Sequence, residues 1–89
     1  MKTFKLQIAA PDGLRYDGEA VQISVRGIEG DLAVLAGHIP FVTALAEGEC
    51  RVYTGEGGDS IRRARCSGGM LMVSKDSVRV LSSDFRWLE

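Results

Sequence analysis

The chain has one histidine and two cysteines, His38, Cys50 and Cys66, which are the residue types most typical of zinc sites and of histidine-dependent catalysis. Zinc sites need ligand pairs separated by only a few residues, and one histidine with two scattered cysteines does not supply them. A catalytic triad would have to use His38, which lies in a tight Gly-His-Ile-Pro turn and has no Gly-x-Ser-x-Gly nucleophile motif to work with. We therefore expect no catalytic residue and no metal site, and we interpret His38 as a structural or interface residue.

Composition excludes further classes of function. The chain has 11 Lys or Arg and 12 Asp or Glu, whereas a nucleic-acid surface needs a clear basic excess. A strand is predicted after the glycine-rich stretch 55–58, where a phosphate cradle would need a helix, so we expect no cofactor. No apolar run approaches the ~20 residues of a membrane helix, and the first residues do not resemble a signal peptide. We therefore expect a cytoplasmic chain without direct membrane insertion.

The elements that position these residues follow a period of two. Apolar and polar residues alternate in Phe4–Ile8, Val21–Arg26 and Val78–Val80, which is typical of strands with one buried face. Turn signals separate such segments at short intervals, and we count about eight strands. A chain of 89 residues with this pattern is one all-β domain, either a sandwich or a barrel.

Glycine and proline divide the middle of the chain. Gly37 and Pro40 interrupt the region 31–46, so we predict strands there rather than a helix. Glu47-Gly48 is interpreted as a further turn. The predicted strands are Leu32–Leu35 and Phe41–Leu45. From residue 82 onward the alternation is lost, and the last residues are expected to leave the domain.

A glycine-rich turn joins Glu49–Thr54 and Ile61–Cys66 into a predicted hairpin. Pairing the strands around the turn sets Cys50 opposite Cys66 on the inner face, where a reducing cytoplasm favours free, buried thiols. The outer face then carries a basic patch: Arg51, Tyr53, Arg63 and Arg65. Like charges opposed across strands cost stability. The patch is therefore either a site for an acidic partner or a solvated face that Glu49 and water screen.

The segment 27–45 contains the most distinctive turns. Glu29 and Asp31 are displayed at a loop tip held by Gly27 and Gly30. Rigidly presented loop residues are frequently binding residues. A second sharp turn at Gly-His-Ile-Pro leads into the strand that carries Thr43.

This segment resembles the epsilon subunit of F-type ATP synthases. The matching motifs occur in order and at the family's spacing, from about Phe4 to Asp84. They are Phe4-x-Leu6-x-Ile8, Glu29-Gly30-Asp31-Leu32, Ala36-Gly37-His38-x-Pro40, Thr43-Ala44-Leu45, Glu47-Gly48-x-x-Arg51-Val52, Ser67-Gly68-Gly69-Met70-Leu71-x-Val73 and Val78-x-Val80-Leu81.

The resemblance implies a flattened β-sandwich of short, mostly antiparallel strands. It implies a non-catalytic rotor subunit of the central stalk that links the gamma subunit to the membrane c-ring and couples ion translocation to ATP synthesis. Glu29, Gly30 and Asp31 match the c-ring-facing loop, and His38 and Thr43 match gamma-facing positions. The expected location is the cytoplasmic side of the cell membrane, as a peripheral part of the complex, with either H+ or Na+ as the coupling ion.

The chain departs from the family at its C-terminus. The family continues into a helical hairpin that carries inhibition of hydrolysis and, in some members, ATP binding, so we expect no nucleotide here. The expected organisation is a sandwich domain over residues 1–84 and a C-terminal tail over 85–89. The chain is either a naturally short form or one cut at a domain boundary. The alternative to the rotor function is a free-standing ligand- or carbohydrate-binding module, which requires a concave pocket lined by aromatic residues.

Overall fold

A computed structural model describes residues 2–88, which form eight strands and one 3-10 turn. The strands are β1 (Phe4–Ala10), β2 (Gly13–Ala20), β3 (Gln22–Gly27), β4 (Gly30–Leu35), β5 (Phe41–Thr54), β6 (Ser60–Val73), β7 (Ser77–Ser82) and β8 (Phe85–Trp87); the 3-10 turn is Glu56–Gly58. The prediction of an all-β domain of about eight strands is confirmed. The strands at 32–35 and 41–45 are also present, as parts of β4 and β5.

The strands form a single hydrogen-bonded sheet in the order β2-β1-β7-β6-β5-β3-β4, and β8 pairs with β6 beside this path. The β1–β7 pair is parallel and the other pairs are antiparallel, so the prediction of mostly antiparallel strands is confirmed.

Two strands are longer than the sequence predicts, since β5 and β6 have 14 residues each. The turn expected at Glu47-Gly48 is wrong, because Gly48 lies inside β5 and pairs with Cys66. A Cβ atom on Gly48 would lie only 2.6 Å from the Cβ of Arg26. This glycine therefore permits a close approach between strands rather than a reversal of the chain.

The two long strands bend and so convert one sheet into two layers. Leu45 and Cys50 are both buried although an odd number of positions separates them, and the same holds for Cys66 and Leu71. In a regular strand such residues would point to opposite faces. One half of β6 pairs with β8 and the other half with β7. The flattened sandwich is thus a sheet folded across β5 and β6.

One hydrophobic cluster fills the space between the layers. Its largest fully buried side chains come from most of the strands: Leu6, Ile8, Ile23, Val34, Cys50, Val52, Leu71 and Val80. Full burial of an aliphatic side chain of this size contributes roughly 1.5–3 kcal/mol to the free energy of unfolding. This core holds the surface turns in fixed positions.

The C-terminal segment continues the sheet, which corrects the expectation of a tail. Phe85 is buried, and the Trp87 Nε1 donates a hydrogen bond to the Arg15 carbonyl oxygen at 3.2 Å. The Arg62 guanidinium lies 3.8 Å from the centre of the Trp87 ring. Residues 85–88 pack here because burial of the Phe85 and Trp87 side chains stabilises the segment. The irregular pattern of this segment did not predict that burial. Glu89, the end of the predicted tail, lies outside the described residues, as does Met1.

The hairpin around residues 55–59 differs from the predicted register by two positions. Cys50 pairs with Ala64, not Cys66, because the strands already pair at Thr54 and Ser60. The predicted faces are nevertheless confirmed, since a shift of two preserves sidedness. Both cysteines are buried and free, also as predicted.

Burial raises the pKa of the Cys50 thiol to about 12, and the nearby Cys66 thiol adds to this shift. An unfolded chain releases the Cys50 proton near pH 8.5, so deprotonation favours the unfolded state above that pH. We expect the free energy of unfolding to fall by up to about 1.4 kcal/mol per pH unit between pH 9 and 12. Urea unfolding of the native chain and of Cys50→Ala at pH 7 and pH 10.5 measures this fall in the free energy of unfolding. Equal pH dependence in both chains would contradict the assignment to Cys50.

Candidate functional site

The turn between β3 and β4 displays the residues that the sequence singled out. Glu29, Gly30 and Asp31 are exposed, and Gly30 adopts a φ of 128° that disfavours other residues. The Arg26 Nη1 lies 3.0 Å from the Asp31 Oδ1, so one of the two acidic side chains is paired. Ile28 is 63% exposed beside them. The turn therefore presents an apolar side chain next to a carboxylate.

This turn is held against β5. The Ile28 backbone N–H donates to the Ala44 carbonyl oxygen at 3.2 Å, and Gly27 pairs with Leu45. These contacts bring the turn beside the strand segment that contains Thr43. Ile28 is not among the residues predicted from the sequence, although an apolar residue between two turn glycines is a signal that could have identified it.

His38 and Thr43 have different surroundings. His38 is exposed in the β4–β5 loop, its ring centre lies 5.0 Å from that of Phe41, and its Nδ1 lies 2.9 Å from the Ile39 carbonyl oxygen. Thr43 is half-buried and pairs with the fully buried Leu71, so it occupies the core-facing side of β5. His38 is therefore an exposed loop residue that lies beside the Phe41 ring. Within residues 2–88 no three or more His, Cys, Asp or Glu side chains form a possible metal site.

Apolar residues that were not predicted from the sequence form a row on the outer face of the layer that contains β1, β2 and β7. Directly paired residues form it across five neighbouring strands. We define the apolar row as Ala44 on β5, Met70 on β6, Leu81 on β7, Ala9 on β1 and Leu14 on β2. Val42 and Met72 form a second pair beside it.

The apolar row is open to solvent. Leu14 is 55% exposed, Met70 and Leu81 are each 43% exposed, and the adjacent Val42 is 60% exposed. Contiguous apolar surface of this kind on a folded domain marks an interaction site more often than scattered single residues do. The row therefore extends the candidate surface from the turns to the flat face of the sheet.

The cavity over β3 and β5 lacks the aromatic lining that the ligand-binding alternative requires. This cavity has a volume of about 650 Å³. It is lined by Ser24, Val25, Arg26, Asp31, Leu32, Ala33, Glu47, Gly48, Glu49, Arg51 and Arg65, with no aromatic residue among them. Carbohydrate recognition by stacking on a ring has no support at this cavity.

A small β-sandwich with an exposed turn and an exposed apolar row has the features expected of a domain that contacts other proteins. Residues 3–88 match the family model described as "ATP synthase, Delta/Epsilon chain, beta-sandwich domain". The chain belongs to this family, and the resemblance found in its sequence motifs is confirmed.

Similar proteins agree with this assignment. The "ATP synthase epsilon chain, sodium ion specific" of Propionigenium modestum is 37% identical over 84 residues, which are 94% of this chain and 59% of that protein. The ATP synthase epsilon chain of Bacillus velezensis is 43% identical over 82 residues, or 92% of this chain and 60% of that protein. The chain thus spans about three-fifths of these relatives.

Two solved structures share the fold. A chain in the cryo-EM structure of the Euglena gracilis mitochondrial ATP synthase, described as OSCP/F1/c-ring, matches with a TM-score of 0.86 and 28% identity over 96% of this chain and 53% of its own length. A chain in the Tetrahymena thermophila mitochondrial ATP synthase matches with a TM-score of 0.77, 15% identity and coverage of 94% of this chain and 66% of its own. The second match supports the fold alone. No helix within residues 2–88 has the length and apolar character to cross a membrane.

Proposed function

We propose that this chain acts as a non-catalytic rotor element of an F-type ATP synthase, linking the gamma subunit to the c-ring and coupling ion translocation to ATP synthesis. Its location would be peripheral, on the cytoplasmic side of the cell membrane. The observation that carries the proposal is the family match over residues 3–88. A coupling element transmits torque and must resist deformation, which suits a sandwich with one continuous core.

The c-ring contact is assigned to the β3–β4 turn. Glu29 and Asp31 offer carboxylates to basic or amide groups of the ring, and Gly30 permits the backbone conformation that displays them. Ile28 adds apolar surface at the same tip. Because the turn is bonded to Ala44, force applied at the tip reaches β5 directly.

The gamma contact is assigned to the apolar row and to His38 in the adjoining loop. Thr43 lies on the core-facing side of β5, so its outward neighbours Val42 and Ala44 are better placed to touch a flat partner surface. Buried apolar area at the centre and polar residues at the rim are the usual arrangement of a stable interface. His38, in the adjoining loop, would occupy the rim.

The proposal is tested by mixing the 89-residue chain with the gamma subunit of the same organism and analysing the mixture by gel filtration. We expect a complex at micromolar concentrations, and we expect that complex to sediment with detergent-solubilised c-rings. Failure of the chain to comigrate with gamma, while it remains folded by circular dichroism, would count decisively against the rotor assignment.

Charge reversal of the turn separates the two contacts. The double variant Glu29→Lys/Asp31→Lys should weaken binding of the gamma complex to c-rings about tenfold or more. The reason is that lysine ammonium groups replace the carboxylates and repel the basic groups of the ring. Binding to gamma alone should be unchanged. The matched control reverses two exposed acidic residues beside another turn, Glu56→Lys/Asp59→Lys. Equal losses in both variants would show that net charge, not this turn, determines the contact.

A further inference from the structure

Five exposed arginines lie on the outer side of β3, β5, β6 and β8. We call this surface the arginine face and define it by Arg26, Arg51, Arg63, Arg65 and Arg86. Arg51 pairs directly with Arg63 across β5 and β6, and Arg65 pairs directly with Arg86 across β6 and β8. Like charges opposed across strands destabilise a sheet, so this arrangement needs anions nearby.

The domain supplies some of these anions. One oxygen of Glu49, Oε2, accepts from the Arg63 Nε at 2.7 Å and from the Arg51 Nε at 3.2 Å. These hydrogen bonds, that from Arg63 first, hold the pKa of Glu49 below its usual value. Both bonds use Nε, so they do not occupy the terminal guanidinium nitrogens of Arg51 and Arg63. The predicted screening by Glu49 is therefore present.

Screening of the arginine face is incomplete. The Asp31 Oδ1 lies 3.0 Å from the Arg26 Nη1, whereas the Glu47 Oε2 lies at a longer distance, 3.4 Å, from the Arg65 Nη2. Three carboxylates thus accompany five guanidiniums, which leaves a charge of +2 on one side of a chain whose net charge is −1. Within residues 2–88 no carboxylate forms an ion pair with Arg86.

The shape of this surface favours a peptide over a uniformly charged polymer. The 650 Å³ cavity opens between Arg26, Arg51 and Arg65, and its lining includes the three carboxylates. Those carboxylates can accept hydrogen bonds from the amide and hydroxyl groups of a peptide, and the phosphate groups of a phosphodiester backbone offer no such donors. Arg63 and Arg65 are alternate residues of β6, roughly 7 Å apart along the strand, which is the spacing of same-side residues in an extended segment.

We propose that the arginine face binds an acidic segment of a partner protein, with its carboxylates paired to Arg63, Arg65 and Arg86. Guanidinium groups bind carboxylates through two parallel N–H bonds, and such pairs are among the stronger charged hydrogen bonds. The added carboxylates would also relieve the repulsion between the paired arginines. This inference goes beyond the rotor function, which uses the β3–β4 turn and the apolar row.

The test uses a synthetic peptide that alternates glutamate with threonine, titrated into the 89-residue chain at low ionic strength and followed by backbone-amide NMR. We expect saturable shifts confined to β3, β4, β5, β6 and β8. The triple variant Arg63→Gln/Arg65→Gln/Arg86→Gln should bind about tenfold more weakly, which is the sum expected for three exposed charge pairs. The matched control removes three exposed cations elsewhere, Lys5→Gln/Lys75→Gln/Arg79→Gln, and should bind normally.

Three results would overturn the proposal. A peptide with glutamine in place of glutamate could bind equally well, or the control variant could lose as much affinity as the arginine variant. The third is tighter binding of single-stranded DNA than of the acidic peptide at the same salt concentration, which would indicate a general polyanion surface. Circular dichroism serves as the control for folding of both triple variants. We expect both to be folded, because substitutions of exposed side chains usually change stability little.

Discussion

The double variant Met70→Glu/Leu81→Glu is expected to lose binding to the gamma subunit by about 100-fold or more. Met70 and Leu81 are directly paired at the centre of the apolar row, and each is 43% exposed. An interface over them would have to bury two carboxylates without partners, in addition to losing the burial of two large apolar side chains. Isothermal titration calorimetry with purified gamma subunit measures the change.

The matched control places the same charges on other exposed apolar residues. Ile61 and Leu35 are 52% and 51% exposed and lie outside the apolar row, so Leu35→Glu/Ile61→Glu should bind gamma with nearly native affinity. The Leu35→Glu/Ile61→Glu control should unfold at nearly the native urea concentration, because both side chains are already in contact with water. The row variant should be somewhat less stable, since its two glutamates are directly paired across β6 and β7, and circular dichroism checks that it is folded under the binding conditions. If the row variant binds normally, the gamma contact lies elsewhere on the sandwich.

The second large effect is on folding. Replacing Gly69 by alanine should lower the free energy of unfolding by about 4 kcal/mol, through a steric clash added to an unfavourable backbone conformation. Gly69 has a φ of 128°, and a Cβ atom there would collide with the Leu81 carbonyl oxygen and lie 2.8 Å from the Cα of Ser82. These are backbone atoms of β7, so no side-chain rotation relieves the contact. Urea unfolding monitored by Trp87 fluorescence measures the loss.

Gly57 provides the comparison for Gly69. It also has a positive φ, 72°, but a Cβ atom there would meet no heavy atom within 4 Å. Gly57→Ala should therefore cost only the backbone term, about 1–2 kcal/mol. A similar loss for both alanine variants would mean that the approach of β6 to β7 is not what requires Gly69.

Local sequence was sufficient for the class of fold and for part of the candidate site. The alternation in Phe4–Ile8 and Val78–Val80 predicted strands with one buried face, and Phe4, Leu6, Ile8, Val78 and Val80 are indeed buried. The turn at Gly27–Gly30 was predicted because glycine favours turns through its own backbone freedom, which does not depend on distant residues. Its motif also carried the family resemblance, since Glu29, Gly30 and Asp31 are consecutive in the chain.

Tertiary structure decided what depends on register and on bends. Glu47-Gly48 continues β5 through its bend and does not reverse the chain, and the requirement for glycine comes from Arg26 on a neighbouring strand. The C-terminal strand forms because Trp87 reaches Arg15, which is 72 residues away in the chain. Neither contact leaves a pattern in the adjacent residues.

The two proposed surfaces show the same division. Leu14, Ala44, Met70 and Leu81 are unremarkable in their own segments, and they form the apolar row only when four strand pairings bring them into line. Three of the arginines, Arg51, Arg63 and Arg65, were predicted to share a face from the hairpin's alternation, whereas Arg86 joins them through β8. The order of the residues was enough to predict the alternating strands and most of the turns, because both depend on neighbouring residues. Which side chains lie side by side was decided by pairings distant in sequence, because a sheet's surface is assembled across strands and not along them.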